Sequence, residues 1–267
     1  MSEGDEGQIK GVRGVKSAAR TVALLELLAA RGDRPARLDE LATELGVPRS
    51  SMYQLLQTLV DCRWVRTDVT GSLYGIGIRA LLAGTSYLDT DRRVRVIRPY
   101  LDEASDALGE TIHLARFDDP DVVYLATRES HEYVRTISRV GRRVPAHAGA
   151  LGKALLAERS NAELSLPAEP FTALTDNTHT DRASLLADLE QVRERGYSIE
   201  HEETVPGIAG FGFALRYDAP AIDAISCSVP LARLTVDHES RIVSVMREVQ
   251  SKIETLLAPS SGAPDWR

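Results

Sequence analysis

Apolar residues recur at helical spacing through the N-terminal part of the chain and then give way to alternation. In VKSAARTVALLELLAARG, Val22, Leu25, Leu28 and Ala29 fall on one stripe that Leu24 and Leu27 widen, which predicts a helix ending at Gly32. LDELATELGVP repeats the pattern over Leu38, Leu41, Ala42 and Leu45 before Gly46, and RSSMYQLLQTLVDC repeats it over Met52, Leu55, Leu56 and Leu59. WVRTDVTGSLYGIG alternates and turns at Thr70-Gly71, which predicts a hairpin. Short helices with tight turns and then a hairpin make a winged helix-turn-helix, expected over 14–76 after a flexible tail over 1–13.

The run GIRALLAGTSYLDTDRRVRVI is helical in period and then charged, which suits a linker helix over 77–97. From Arg98 the pattern changes. PYLDEASDALG reads as a helix, and TIHLARFD, DVVYLATR and YVRTISRV read as strands. PAHAGALGKALLA is a loop feeding a helix, and RASLLADLEQVRERG is a second helix. Strands follow at YSIEHEE, GIAGFGFALRY and AIDAISCSVP, then a long helix, Val236 to Leu257, striped by Ile242, Val245, Met246, Val249, Ile253 and Leu256. Strands joined by short turns imply a mainly antiparallel sheet flanked by helices over 98–258, with a polar tail over 259–267. The expected fold class is therefore α+β in two domains.

Composition changes little: 43% apolar and 27% charged residues describe an ordinary globular chain. No apolar run approaches the roughly 20 residues of a membrane helix, and the start MSEGDEGQIK is not a signal sequence, so a cytoplasmic protein is expected. Cys62 and Cys227 are far apart and lack C-x-x-C spacing, which predicts reduced, buried thiols. Charge is uneven. Lys10 to Arg79 holds a net +4 within a chain of net −7, so a polyanion partner suits the head alone.

The third helix supplies the candidate reading face. With its core positions removed it offers Arg49, Ser50, Ser51, Tyr53, Gln54 and Gln57, with no acid between Pro48 and Val60, and the wing adds Arg66 flanked by Arg63. Arg and Gln bond base edges bidentately and Ser and Tyr reach phosphates, so double-stranded DNA is the expected partner.

The loop PAHAGALGK has the outline of a phosphate cradle, but His147 stands where the first Gly should be and Ala154 where the magnesium-binding hydroxyl should be. What remains is a small-residue loop opening a helix, able to offer N–H groups to an anion. Lys153 is expected to face solvent. Among the histidines, His113, His147 and His201 included, no pair has ligand spacing, so no metal and no cofactor are expected. No hydrolase elbow, zinc-protease or dinucleotide motif occurs, and Glu202-Glu203 point to opposite faces of a strand. A small-molecule enzyme, or a sensor module without DNA binding, is the competing reading.

Taken in order, VKSAARTVALLELLA, LDELATELGVPRSSMYQLLQTLV, YGIG, GETIHLARF, VGRRVPAHAGALGKALLA, RERGYSIEHEE and AISCSVP resemble the IclR-type bacterial transcriptional regulators over Val15 to about Leu234. The resemblance implies a winged-helix DNA-binding domain, a linker helix and a GAF-like domain that binds a small organic effector. It also implies homodimers, often paired into tetramers, acting on an operator. It implies an effector pocket at Ala150 and Leu151, whose N–H groups would meet a carboxylate, with walls from Glu200, Gly210, Ser226 and Ser228. Relatives often carry Cys in the GIAG segment and Pro shortly after. Gly210 and Ala214 stand here instead, and a wider pocket or a lost polar contact is expected.

Overall fold

The structure is a computed structural model that describes residues 15–135 and 138–258, so the expected tails lie outside the described residues. The first unit, up to Tyr87, holds α1 (Lys16–Ala30), β1 (Ala36–Arg37), α2 (Leu38–Glu44), α3 (Arg49–Asp61), β2 (Val65–Thr67) and β3 (Leu73–Ile76). Leu24, Leu28, Leu41, Met52, Leu56, Val65 and Tyr74 form its core. The buried seam of α1 is Leu24 and Leu28, while Val22, expected on the stripe, is 54% exposed. Two helical positions separate Val22 from Leu24, about 200° around the axis, so both cannot face one core. The wing has three strands in the order β1-β3-β2. The hairpin was expected, but β1, at two residues, is too short to show a period. Asp68 closes its turn by accepting from the Ser72 and Leu73 N–H groups at 2.8 and 2.9 Å.

The expected linker is not one helix. α4 (Ile78–Thr90) ends at Asp91, and α5 (Arg92–Leu108) absorbs both the charged run and the helix expected from Arg98. Asp91 stops one and starts the other: it is extended, and its carboxylate accepts from the Val94 N–H at 3.1 Å. Arg116 holds the same carboxylate at 2.5 Å and Asp223 at 2.7 Å. α5 runs through Pro99 because Val94, Ile97, Leu101, Ala104 and Leu108 bury one continuous stripe, which outweighs a helix-interior proline cost of about 3 kcal/mol.

The second unit, from Leu88, is built on β4 (Thr111–Asp118), β5 (Asp121–Arg128), β6 (Arg143–Pro145), β7 (Ser198–His201), β8 (Ile208–Leu215) and β9 (Asp223–Pro230). Every pairing is antiparallel, in the order β6-β5-β4-β9-β8-β7. Large residues go to one face: Ile112, Leu114, Phe211, Phe213, Ile225, Cys227 and Val229 pack with α5 and α8 (Val236–Leu257). The other face is small, with Ala115, Ala214 and Ala224 against α6 (Ala150–Ala157) and α7 (Arg182–Arg195). The strand expected at YVRTISRV does not form: 133–135 and 138–140 are irregular, and Thr136 and Ile137 lie outside the described residues. The edge strand is β6 instead. Cys227 is buried as expected, but Cys62, at the end of α3, is exposed. No helix among the described residues is long and apolar enough to cross a membrane.

Candidate functional site

The glycines of the loop explain its layout. A Cβ on Gly152 would fall under 3.0 Å from the Ala146 backbone, and one on Gly212 under 3.0 Å from the Ala150 carbonyl and Ser198 Oγ. These positions let a single 3-10 turn (Ala146–Ala148) double back on α6 and let α6 lie on β8, where Ser198 Oγ donates to the Ala150 carbonyl at 2.5 Å. Gly149 is the extended N-cap and no side chain caps the helix, so the first-turn N–H groups stay open.

Two cross-strand rows meet that open end. One is Glu200, Gly210, Ser228 and Thr111, and the other Ser198, Gly212, Ser226, His113 and Thr127. Between them and α6 lies a cavity of about 30 Å³, room for a few water molecules. Ala150, Leu151, Glu200, Gly210, Ser226 and Ser228 all line it. Sequence reading missed His113, Tyr124, Arg142 and Thr204, which also line it. The strand period could have found His113, since its register partner is Ser226.

Glu200 is buried and organises a turn: Oε2 accepts from the Glu203 N–H at 2.8 Å and Oε1 from Thr204 Oγ1 at 2.9 Å. Those bonds steady Glu202, which holds a left-handed φ of 57°. Burial pushes the Glu200 carboxyl up to about 7, against the pull of these hydrogen bonds. His113 Nδ1 meets Thr127 Oγ1 at 3.0 Å, and burial with the Arg142 charge takes the imidazole down to about 3, so it is neutral at physiological pH. Ser226 is 3% exposed and its hydroxyl makes no side-chain hydrogen bond among the described residues, and Ser138 Oγ is buried without a partner. Gly210 does not widen the cavity. A Cβ there would lie 3.0 Å from Glu200 Cγ and 3.2 Å from Ala150 Cβ, so those side chains fill the space. Ala214 packs in the α6–α7 core instead.

Lys153 corrects an expectation: it does not face solvent but is 0% exposed. Its Nζ lies 2.7 Å from both Asp188 Oδ2 and Glu203 Oε1, tying α6 to α7 and to the turn that Glu200 organises. Local helical periodicity cannot show this, because both partners are distant in sequence. Among the described residues no group of three or more His, Cys, Asp or Glu is placed to hold a metal ion.

In the first unit α3 turns Arg49, Ser50, Tyr53 and Gln54 outward, with Tyr53 52% exposed. Ser51 and Gln57 flank the face half-buried, and Arg66 is exposed on β2. Arg49 is ion-paired to Asp39 of α2, an acid outside the acid-free stretch. The other acids of α2, Glu40 and Glu44, are held by Arg31. Repulsion of a phosphate backbone by α2 is thereby reduced.

Comparison with known proteins agrees with this division. Residues 85–255 match the family described as bacterial transcriptional regulator IclR C-terminal, and residues 17–69 match the IclR helix-turn-helix domain. The chain is 30% identical over 255 residues to the HTH-type transcriptional regulator BhcR of Paracoccus denitrificans, covering 94% of this chain and 90% of that protein. It is 29% identical over 259 residues to the HTH-type transcriptional repressor AllR of Escherichia coli K12, covering 95% of each. A crystal structure of an IclR homologue from Microbacterium hydrocarbonoxydans complexed with 4-hydroxybenzoate has the same fold, with a TM-score of 0.71 at 24% identity over 90% of this chain and 98% of that one. The chain belongs to the IclR family of transcriptional regulators, with an N-terminal helix-turn-helix DNA-binding domain and an effector-binding C-terminal domain.

Proposed function

We propose that this regulator reads an operator with Gln54, Gln57 and Tyr53 of α3, holds the backbone with Arg49, Ser50, Ser51 and Arg66, and responds to a small organic acid bound at the N-terminus of α6. The observation that carries the reading is the convergence of Ala150, Leu151, Glu200, Gly210, Ser226 and Ser228 on one cavity, beside uncapped helix N–H groups and a serine without a partner. Such an end favours an anion through its N–H groups and its dipole. The homologue solved with 4-hydroxybenzoate supports a carboxylate for this chain. The working unit is a homodimer, able to pair into a tetramer. Ile78, Leu81 and Leu82 share an exposed apolar face of α4 at i, i+3 and i+4, a seam a second copy would cover. Acting on chromosomal DNA, it works in the cytoplasm. An acid that binds one state of the dimer better than the other changes operator affinity by that difference, releasing DNA as a repressor does. The test is a mobility-shift titration of an operator fragment with small organic acids, paired with thermal shift on the same protein. An acid that raises the melting midpoint and changes operator affinity supports the reading; if acids do neither, the pocket is not an effector site.

A further inference from the structure

The first turn of α6 accounts for one end of the cavity, and Arg142 stands at the other. Among the described residues, Arg31, Arg93, Arg116, Arg159, Arg195 and Arg233 are half-buried like Arg142, and each gives its guanidinium to a carboxylate or a carbonyl. Arg142 and, on α1, Arg20 are the half-buried arginines with no such partner among the described residues, and of the two Arg142 lines the cavity, while the neighbouring Arg143 holds both Asp118 and Asp121 at 3.0 Å. In a chain of net charge −7, a part-buried cation left open on a cavity wall is complementary to an anion that comes from outside.

The two ends are separate. Gly210 lies against Ala150 and is the register partner of Ser228, so Glu200, Ser228 and the α6 N-terminus share one end. The cation that bears on Glu200 is Lys153, whereas the Arg142 charge bears on His113 and on Tyr124, which lies between the ends and also feels the Glu200 charge. His113 and Tyr124 are edge to face with centroids 5.1 Å apart, and Tyr124 keeps its proton because burial pushes the phenol up to about 12, so its hydroxyl remains a donor. Ser226 sits between the ends, paired in register with both His113 and Gly212. Arg142 precedes β6, three strand spacings of about 4.8 Å each from β9, and its charge reaches back to His113 on β4, so a short carbon chain on the β9 serines extends toward its guanidinium. A monocarboxylate meets only one of the two ends.

We infer that the ligand is a short-chain dicarboxylate, one carboxylate held by the first turn of α6 with Ser226 and Ser228 and the other by Arg142. This rests on the reading of the cavity as an organic-acid site and adds Arg142 as the residue that selects the second charge. The experiment measures dissociation constants by calorimetry on the full chain for matched pairs of equal carbon number, propionate with malonate, butyrate with succinate and valerate with glutarate. Wild type, Arg142→Gln and Arg142→Lys are compared at one pH and one salt concentration. The expected result is a preference of fivefold or more for the dicarboxylate of at least one pair in wild type, falling below twofold in Arg142→Gln and partly restored in Arg142→Lys. The unliganded melting midpoint of each variant separates a lost contact from a lost fold, and a variant that melts early is replaced by Arg142→Met. A wild-type preference below fivefold, or one that survives removal of the guanidinium, overturns the inference while leaving monocarboxylate binding to support the organic-acid reading. If no acid of either class binds, both fall.

Discussion

Gly212 and Gly210 stand two residues apart on β8 and face the same helix, yet a methyl group has a different consequence at each. At Gly212 it would collide with the Ala150 carbonyl, a backbone atom that cannot swing away, whereas at Gly210 it meets the Glu200 side chain and the Ala150 methyl. Gly212→Ala is expected to destabilise the second unit by about 3 kcal/mol and Gly210→Ala by about 1 kcal/mol, read as a shift in urea midpoint at unchanged slope. Glu200 adds a pH dependence. Its native carboxyl titrates at about 7 against an ordinary 4.5, so the folded state holds a proton across that window that the unfolded chain has released. Stability from this group is full below 4.5 and declines as pH rises toward 7. Melting midpoints from pH 5 to 8 should therefore fall more steeply in wild type than in Glu200→Gln; equal slopes would assign the dependence to other groups. On α3, Gln54→Ala should alter operator preference at a cost of about 1–3 kcal/mol without moving the melting midpoint. Unchanged affinity across a set of operator variants would remove Gln54 from the reading face.

Elements are held in place here by charges that their own periodicity hides. α6 is apolar but for Lys153, and that one lysine reaches Asp188 of α7 and Glu203 of the turn after β7. Removing it leaves two carboxylates in a buried site with their compensation gone, so Lys153→Met should cost about 3–5 kcal/mol at neutral pH. Burial already raises Glu203, and without the lysine it will protonate more readily, so part of the loss should be recovered near pH 5. A variant as stable as wild type at pH 7.5 would show that the cluster is solvated. The junction of α4 and α5 depends on a similar contact. Asp91 caps α5 and receives Arg116, which also holds the fully buried Asp223, so the helix break is anchored to β4 and β9, the strands that carry His113 and Ser226.

At the scale of the whole molecule, two copies joined through the exposed face of α4 would present two α3 helices to one duplex. The operator should then be a pseudo-palindrome with half-sites separated by whole helical turns of about 10–10.5 base pairs. Leu82→Glu on that face should shift sedimentation toward the monomer and weaken operator binding; a variant that remains dimeric would exclude this seam. What the sequence by itself determined is local. Periods of 3.6 and 2 marked α3, α7, α8 and the long strands because one face of each must leave water, whereas Ala150, Gly210 and Ser226 were legible as a cavity wall only through the family resemblance, since their spacing alone reads equally as packing. Tertiary structure decided what depends on partners distant in the chain. It set the break at Asp91, fixed by Arg116 and Val94, and the continuation of α5 through Pro99, fixed by its buried stripe. It also set the burial of Lys153 and the open guanidinium of Arg142. A residue's charge and length are written in the sequence, but whether that charge finds a counter-ion or faces a cavity follows only from which segments the sheet brings together.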